Sequence, residues 1–299
     1  MLTGIHFLLT YKCLFECDHC FVYSSPQSEG TFTYQQICNV LDEADRIGTI
    51  EWIYFEGGEP FLYYPLLIES IKEAKRHGYK TGVVTNAYFA TSEEDAIKWL
   101  TPLSKMKVRD LSISNDSFHS ENPESSYARI ALKAARKLGI KVSSIAIEEI
   151  SVGPNNKLRE KGKPVVGGGV MFRGRAADKL SKDLPRVNWK EFTECPYEDL
   201  VSPERVHVDE FGNVHLCQGI SMGNMWEIPL SNLVKNYSVE SHPICKFLSS
   251  GGPKRLTEEY NVTHEDSYVD GCHFCYETRK RLIDKFPVLL SPKQVYGLE

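Results

Sequence analysis

From residue 5 to residue 172 the chain alternates short apolar, aromatic-rich runs with amphipathic helical patterns, and few folds accept that rhythm. The strand-like runs are 5–10 (IHFLLT), 51–55 (EWIYF), 80–85 (KTGVVT), 109–115 (RDLSISN), 141–148 (KVSSIAIE) and 169–172 (GVMF). Between the first two, residues 33–47 place Ile37, Val40, Leu41, Ala44 and Ile47 on one face, opened by Thr33 and Gln36 as a capping box. A second helix is expected over 61–77 with Gly78 closing it, a third opens at Thr91 and Glu94, and a fourth runs from Tyr127 to Leu138 before Gly139. Six strands alternating with helices predict an α/β fold with a parallel sheet and right-handed crossovers, an open or partly closed β/α barrel. In such folds ligands meet the carboxyl ends of the strands.

The loop after the first strand carries Cys13, Cys17 and Cys20 in the pattern C-x-x-x-C-x-x-C. Three thiolates at that spacing can hold three corners of an iron–sulfur cube and leave one iron open. Two other readings stand beside this one. The spacing also fits a buried helical stripe. A zinc site is the other, although zinc takes four ligands and His19, next to Cys20, is an awkward fourth. Other polar groups fall at the same strand ends. Glu56-Gly57-Gly58-Glu59-Pro60 follows strand two, and its two glycines allow close backbone approach. Thr85-Asn86 ends strand three, Ser114-Asn115-Asp116 ends strand four, and Arg173 and Arg175 follow strand six with guanidiniums suited to a carboxylate.

Composition narrows the class. At 299 residues, 41% hydrophobic and 25% charged, the chain is long enough for a large core in one domain or two. A net charge of −5, with no basic block, argues against nucleic acid as partner. Apolar runs such as FLYYPLLI are far below the roughly 20 residues that span a bilayer, so no membrane partner is expected. The opening MLTGIHFLLTYKC has no basic n-region and runs directly into the cysteine motif, which argues against a removable signal. Nine cysteines in a chain expected to be cytoplasmic point to metal or redox use rather than disulfides.

Cys13-x-x-x-Cys17-x-His19-Cys20 followed by Gly57-Gly58-Glu59-Pro60 after the next strand resembles the radical S-adenosylmethionine superfamily over about residues 5–176. The resemblance implies a partial (β/α)6 barrel with a [4Fe–4S] cluster on Cys13, Cys17 and Cys20, its open iron chelated by S-adenosylmethionine. It implies that backbone at Gly57 to Glu59, with Pro60 ending the turn, receives the methionyl amino group. Ser114 and Asp116 stand where relatives contact the ribose or carboxylate, Arg173 or Arg175 where they neutralise the carboxylate, and His19 where an aromatic packs on adenine. Asn86-Ala87 replaces a common Asn-Gly. The implied chemistry is reductive cleavage of the cofactor to a 5′-deoxyadenosyl radical, with a flavodoxin or ferredoxin as electron donor.

After residue 176 the alternation fades and Cys195, Cys217, Cys245, Cys272 and Cys275 appear, so domains are expected at 1–176 and 177–299. Gly212-x4-Cys217 begins at a hairpin turn, Glu210 to Asn213, and Cys272-x-x-Cys275 is a metal-type pair for which a zinc ribbon is the plain alternative. The order Cys, Gly-x4-Cys, Cys-x-x-Cys, with Gly223-Asn224 trailing, is similar to the twitch domain, the shorter form of the SPASM auxiliary-cluster domain. That resemblance implies a second [4Fe–4S] cluster on Cys195, Cys217, Cys272 and Cys275. The 16 residues between Cys195 and Gly212 are slightly more than the usual pattern has. Cys38 and Cys245 are read as packing residues, His215 as the outward face of a strand and Tyr23 as cavity wall, while His119 lies beyond the rim of strand four, where it could face substrate.

A fully ligated second cluster cannot bind substrate and can carry an electron. The expected reaction is therefore a net oxidation, a dehydrogenation or cross-link, of a peptide or small molecule, with the auxiliary cluster as acceptor. The alternative is a non-catalytic iron–sulfur or zinc protein. Only 12 residues precede Cys13, too few for a leader-binding winged domain, which counts against a peptide substrate unless that domain is a separate chain.

Overall fold

The computed structural model describes residues 1–120, 122, 126–152 and 166–298. Five parallel strands, β1 (Gly4–Leu8), β2 (Trp52–Glu56), β3 (Lys80–Thr85), β4 (Asp110–Ser114) and β5 (Val142–Ile145), follow one another in sequence and in the sheet. Helices α1 (Tyr34–Ile47), α2 (Tyr64–Arg76), α3 (Glu93–Lys105) and α4 (Tyr127–Lys137) make the crossovers. Alternate strand residues Ile5, Phe7, Ile53, Phe55, Val83, Leu111 and Ile113 are fully buried in the same core as Ile37, Leu41, Leu67, Ile71, Leu100 and Leu103 of the helices. Each such side chain contributes about 1.5–3 kcal/mol by leaving water. The opposite residues, His6, Tyr54 and Glu56, turn away from that core; this side of the sheet becomes the interior of the open barrel.

The helix starts follow local chemistry. Thr33 accepts from the Gln36 N–H while the Gln36 side chain accepts from the Thr33 N–H, the expected capping box, worth about 1 kcal/mol. At α3 the cap is Ser92, whose hydroxyl accepts from the Asp95 N–H, and not Thr91 with Glu94. The expected helix over 61–77 divides into a 3-10 turn at Pro60–Tyr63 and α2, because Glu59 caps the Phe61 N–H and Pro65 takes the first turn of α2.

The sixth strand departs from expectation. Residues 169–172 form no strand; instead β6 (Ser151–Val152) and β7 (Val166–Gly167) pair as a small antiparallel ribbon. Short α5 (Arg175–Lys179) and β8 (Val187–Asn188) follow. The sixth parallel strand of the sheet is β9 (Arg205–Asp209), which lies beside β1 with His6 opposite His207. The chain then turns at 210–212 into β10 (Asn213–Cys217) and β11 (Ile220–Asn224), giving an eight-stranded sheet in the order β11-β10-β9-β1-β2-β3-β4-β5. One sheet therefore crosses the 176/177 boundary. Helices α6 (Leu230–Asn236), α7 (Cys245–Tyr260) and α8 (Gly271–Lys280) complete the fold, with β12 (Ser267–Tyr268) paired to β8. Among the described residues no helix is long and apolar enough to cross a membrane.

Candidate active site and a second cysteine pocket

Residues 13–20 are irregular backbone, so the three cysteines do not form a helical stripe. The loop is fixed by main-chain bonds: Cys13 N–H donates to Ser25 O (3.0 Å) and Cys20 N–H to Cys17 O (3.0 Å). Arg175 clamps it from outside, donating from Nη1 to Cys17 O (2.9 Å) and from Nη2 to Ser24 O (2.7 Å), with its guanidinium 5.0 Å from the Tyr23 ring. Sulfur acceptors are also served. The Phe15 N–H points to Cys13 Sγ (3.4 Å), the Ser24 N–H to Cys20 Sγ (3.3 Å) and Asn86 Nδ2 to Cys13 Sγ (3.5 Å). Burial pushes the Cys13 thiol up to about 11 and the Cys17 thiol up to about 12, so a bound cation is what makes these two sulfurs thiolates at neutral pH.

The Gly57-Gly58 turn runs directly against this loop. A Cβ on Gly58 would lie 2.2 Å from Lys12 O, and one on Gly57 2.4 Å from Thr10 O. The Gly58 and Glu59 N–H groups donate to Thr10 O (2.7 Å) and Lys12 O (2.9 Å), so the turn offers a ligand acceptors rather than donors. The Glu59 side chain turns inward. It accepts from Thr85 Oγ1 (2.8 Å), the Asn86 N–H (2.8 Å) and the Phe61 N–H (3.0 Å), and burial raises its carboxyl to about 7. Glu59 thus sets Asn86, which sets Cys13.

The three cysteines, His19, Gly57, Gly58, Asn86, Ser114 and His119 line one cavity at the carboxyl ends of the strands, walled also by Phe15, Phe21 and Val22. Several expected contacts lie elsewhere. Asp116 is occupied in its own loop, accepting from the Phe118 N–H (3.1 Å), His119 Nδ1 (2.7 Å) and the Ile147 N–H (3.1 Å). Pro60 is buried under the turn, and Tyr23 is bonded to Asp178 outside the cavity. Burial lowers the imidazole of His19 to about 4, so it is neutral and packs 4.7 Å from the Phe118 ring.

Arg173 requires a correction. It does not face the cavity of Cys13; its Nη1 lies 2.9 Å from Cys217 Sγ. Gly174, at φ 59°, sits so tightly against Phe21 that a Cβ would lie 2.6 Å from its backbone, and this turn sends Arg173 and Arg175 to different sites. Cys195, Cys217, Cys272 and Cys275 line a second, more enclosed cavity with Arg173 and Arg279. Cys272 and Cys275 lie three residues apart in the first turns of α8, whose cap Asp270 accepts from the His273 N–H (2.7 Å). Four thiolates on one zinc ion sit about 3.8 Å apart. Among the described residues neither cysteine set gathers three sulfurs mutually within 4.8 Å, wider than one zinc ion requires. Cys245 is sealed in the core, where burial raises its thiol to about 12. His215, expected to face outward, is fully buried on Asp209 (3.0 Å).

The interior of the barrel holds a group that strand periodicity did not single out: His6, Glu56 and His207, one from each of three neighbouring strands. The only signal was polar residues at 6 and 207 inside apolar strands.

Residues 7–152 match the model of the Radical SAM superfamily. That stretch is a domain of the superfamily, and the chain that carries it is an enzyme. It is 24% identical over 86% of its length, and 73% of the other protein, to YydG of Bacillus subtilis, whose name assigns it provisionally to peptide biosynthesis. Over 28% of this chain and 24% of its relative, it is 31% identical to the tungsten-containing aldehyde ferredoxin oxidoreductase cofactor-modifying protein of Pyrococcus furiosus. Its fold is similar to that of BtrN in complex with AdoMet and 2-DOIA, at 14% identity over 92% of both chains with a TM-score of 0.54. It is also similar to native anSMEcpe with bound AdoMet and Cp18Cys peptide, at 13% identity over 96% and 97% of the two chains with a TM-score of 0.51.

Proposed function

We propose that the chain oxidises a peptide or small molecule by radical chemistry. Cys13, Cys17 and Cys20 hold a [4Fe–4S] cluster in the cavity at the strand ends, and S-adenosylmethionine and substrate share that cavity. Cys195, Cys217, Cys272 and Cys275 hold a second [4Fe–4S] cluster, and residues 177–299 serve as its domain. When bound, the first cluster and S-adenosylmethionine supply a 5′-deoxyadenosyl radical that removes a hydrogen atom, and the second cluster supplies an acceptor for one electron. A flavodoxin- or ferredoxin-type protein supplies the reducing electron.

The observation that carries the oxidative reading is the second pocket. Four thiols and two buried guanidiniums, Arg173 and Arg279, line it. Four protein ligands leave no position for substrate, and two positive charges favour a more reduced, more negative cluster. At the first cavity, Arg175 holds the cysteine loop still, Asn86 donates to Cys13, and Phe15, Phe21 and Val22 exclude water from the reacting carbon. His119, oriented by Asp116, takes the proton released with the second electron. The relation to YydG favours a peptide substrate.

The experiment is turnover of the anaerobic, reduced enzyme with S-adenosylmethionine and substrate in D2O, read by mass spectrometry. Oxidation yields 5′-deoxyadenosine and a product lighter by two hydrogens. A product that instead carries one solvent deuterium and is otherwise unchanged means a redox-neutral reaction and removes the acceptor role.

A further inference from the structure

The wall of the first cavity carries one fixed charge among the described residues. Glu56, the last residue of β2, is the only Asp, Glu, Lys or Arg in its lining. Strand register brings two imidazoles to it: His6 sits beside it on β1 and His207 on β9. Both meet the same oxygen, with Oε1 3.2 Å from His6 Nδ1 and 3.0 Å from His207 Nε2. Burial disfavours the Glu56 carboxylate, but the two imidazoles outweigh it and hold the group well below the usual carboxylate range. Burial pushes His207 down to about 4, so it is a neutral ring, and its Nε2 lies between Glu56 Oε1 and Gln218 Nε2 (3.5 Å). The second oxygen, Oε2, has no partner among the described residues, and the side chain stays 19% exposed, on the cavity.

The three side chains also resemble a two-histidine, one-carboxylate metal set. A metal-holding imidazole normally donates its other N–H to a protein acceptor, whereas His207 Nδ1 is sealed without a partner. What the site lacks is a cation for Oε2, placed where a substrate lies.

We propose that Glu56 Oε2 is a substrate subsite for a protonated amine, an ammonium or guanidinium group, which docks against the ends of β1 and β2 and so fixes which carbon faces the cysteine loop. His6 and His207 are positioning residues that hold Oε1 and present Oε2. This rests on the reading of the cavity as the substrate site.

The test uses the anaerobic holoenzyme saturated with S-adenosylmethionine and three probes of one length, n-hexylamine, 1-hexanol and hexanoate, titrated by calorimetry. The amine is expected to bind at least about tenfold more tightly than the other two, with its nitrogen on Glu56 in a soaked crystal. In Glu56→Gln the preference is expected to vanish, and in Glu56→Asp to persist. Equal binding of the probes, no binding of the amine, a preference that survives Glu56→Gln, or displacement of the cofactor by the amine each overturns the subsite. Should Glu56→Gln lose its clusters, the wild-type comparison decides alone. Failure of the functional reading itself is read separately, as absence of 5′-deoxyadenosine when the reduced enzyme receives S-adenosylmethionine without probes.

Discussion

Arg173 Nη1 lies 2.9 Å from Cys217 Sγ, while the same guanidinium stacks 5.3 Å from the ring of Phe21, a wall residue of the first cavity. The side chain therefore sits between the two cysteine pockets. A positive donor to a ligating sulfur withdraws electron density and raises the reduction potential of the group that sulfur holds. Arg173→Gln is expected to lower the midpoint potential of the second cluster, measured by EPR-monitored titration, without moving that of the first. An unchanged second midpoint would remove Arg173 from electron control.

Cys13, Cys17 and Cys20 replaced together by Ala are expected to abolish 5′-deoxyadenosine formation and to reduce bound iron from about eight to about four per chain. Continued cofactor cleavage in the triple variant would show that the ligand assignment is wrong.

Replacing Cys272 and Cys275 by Ala separates the two halves of the chemistry. Uncoupled cleavage of S-adenosylmethionine is expected to continue, while the oxidised product disappears. Product at the wild-type rate would exclude an electron-carrying role for the second pocket.

Glu210 gives a pH test of the fold itself. Both of its carboxylate oxygens are sealed without a hydrogen-bond partner, and burial beside Asp209 raises its carboxyl from 4.5 to about 8. The folded protein then keeps this proton where the unfolded chain has lost it. Stability is full below about pH 4.5 and falls as pH rises toward 8. Glu210→Gln removes that cost. The variant is expected to match wild type near pH 4.5 and to exceed it at pH 8.5 by on the order of 4 kcal/mol, seen as a higher Tm under anaerobic heating. A Tm difference that does not grow with pH would mean that Glu210 has a partner in solution.

Local features were legible in the sequence, and non-local ones were not. The capping box at Thr33 and Gln36 lies within four residues and needs no tertiary knowledge. The partner of β1 on its outer edge is β9, about two hundred residues away, and a strand-like run at 169–172 looked nearer in order. Arg173 and Arg175 are separated in sequence by a single residue, and that spacing suggests a shared site. Only the φ of Gly174 and its contact with Phe21 show that they part. The His6–Glu56–His207 group is created by register across three strands, which no spacing along the chain encodes.

The ladder between β1 and β9 also limits how the chain can be divided. A fragment ending near residue 176 would keep the pairing of Gly4–Leu8 with β2 but leave their N–H and C=O groups that face β9 open along an apolar strand. Such an edge pairs with whatever strand it meets, including its own copy in another molecule. Expression of the cysteine-loop half alone is thus a route to aggregates, and any splitting or fusion of this enzyme has to carry residues 205–209 with the amino-terminal half.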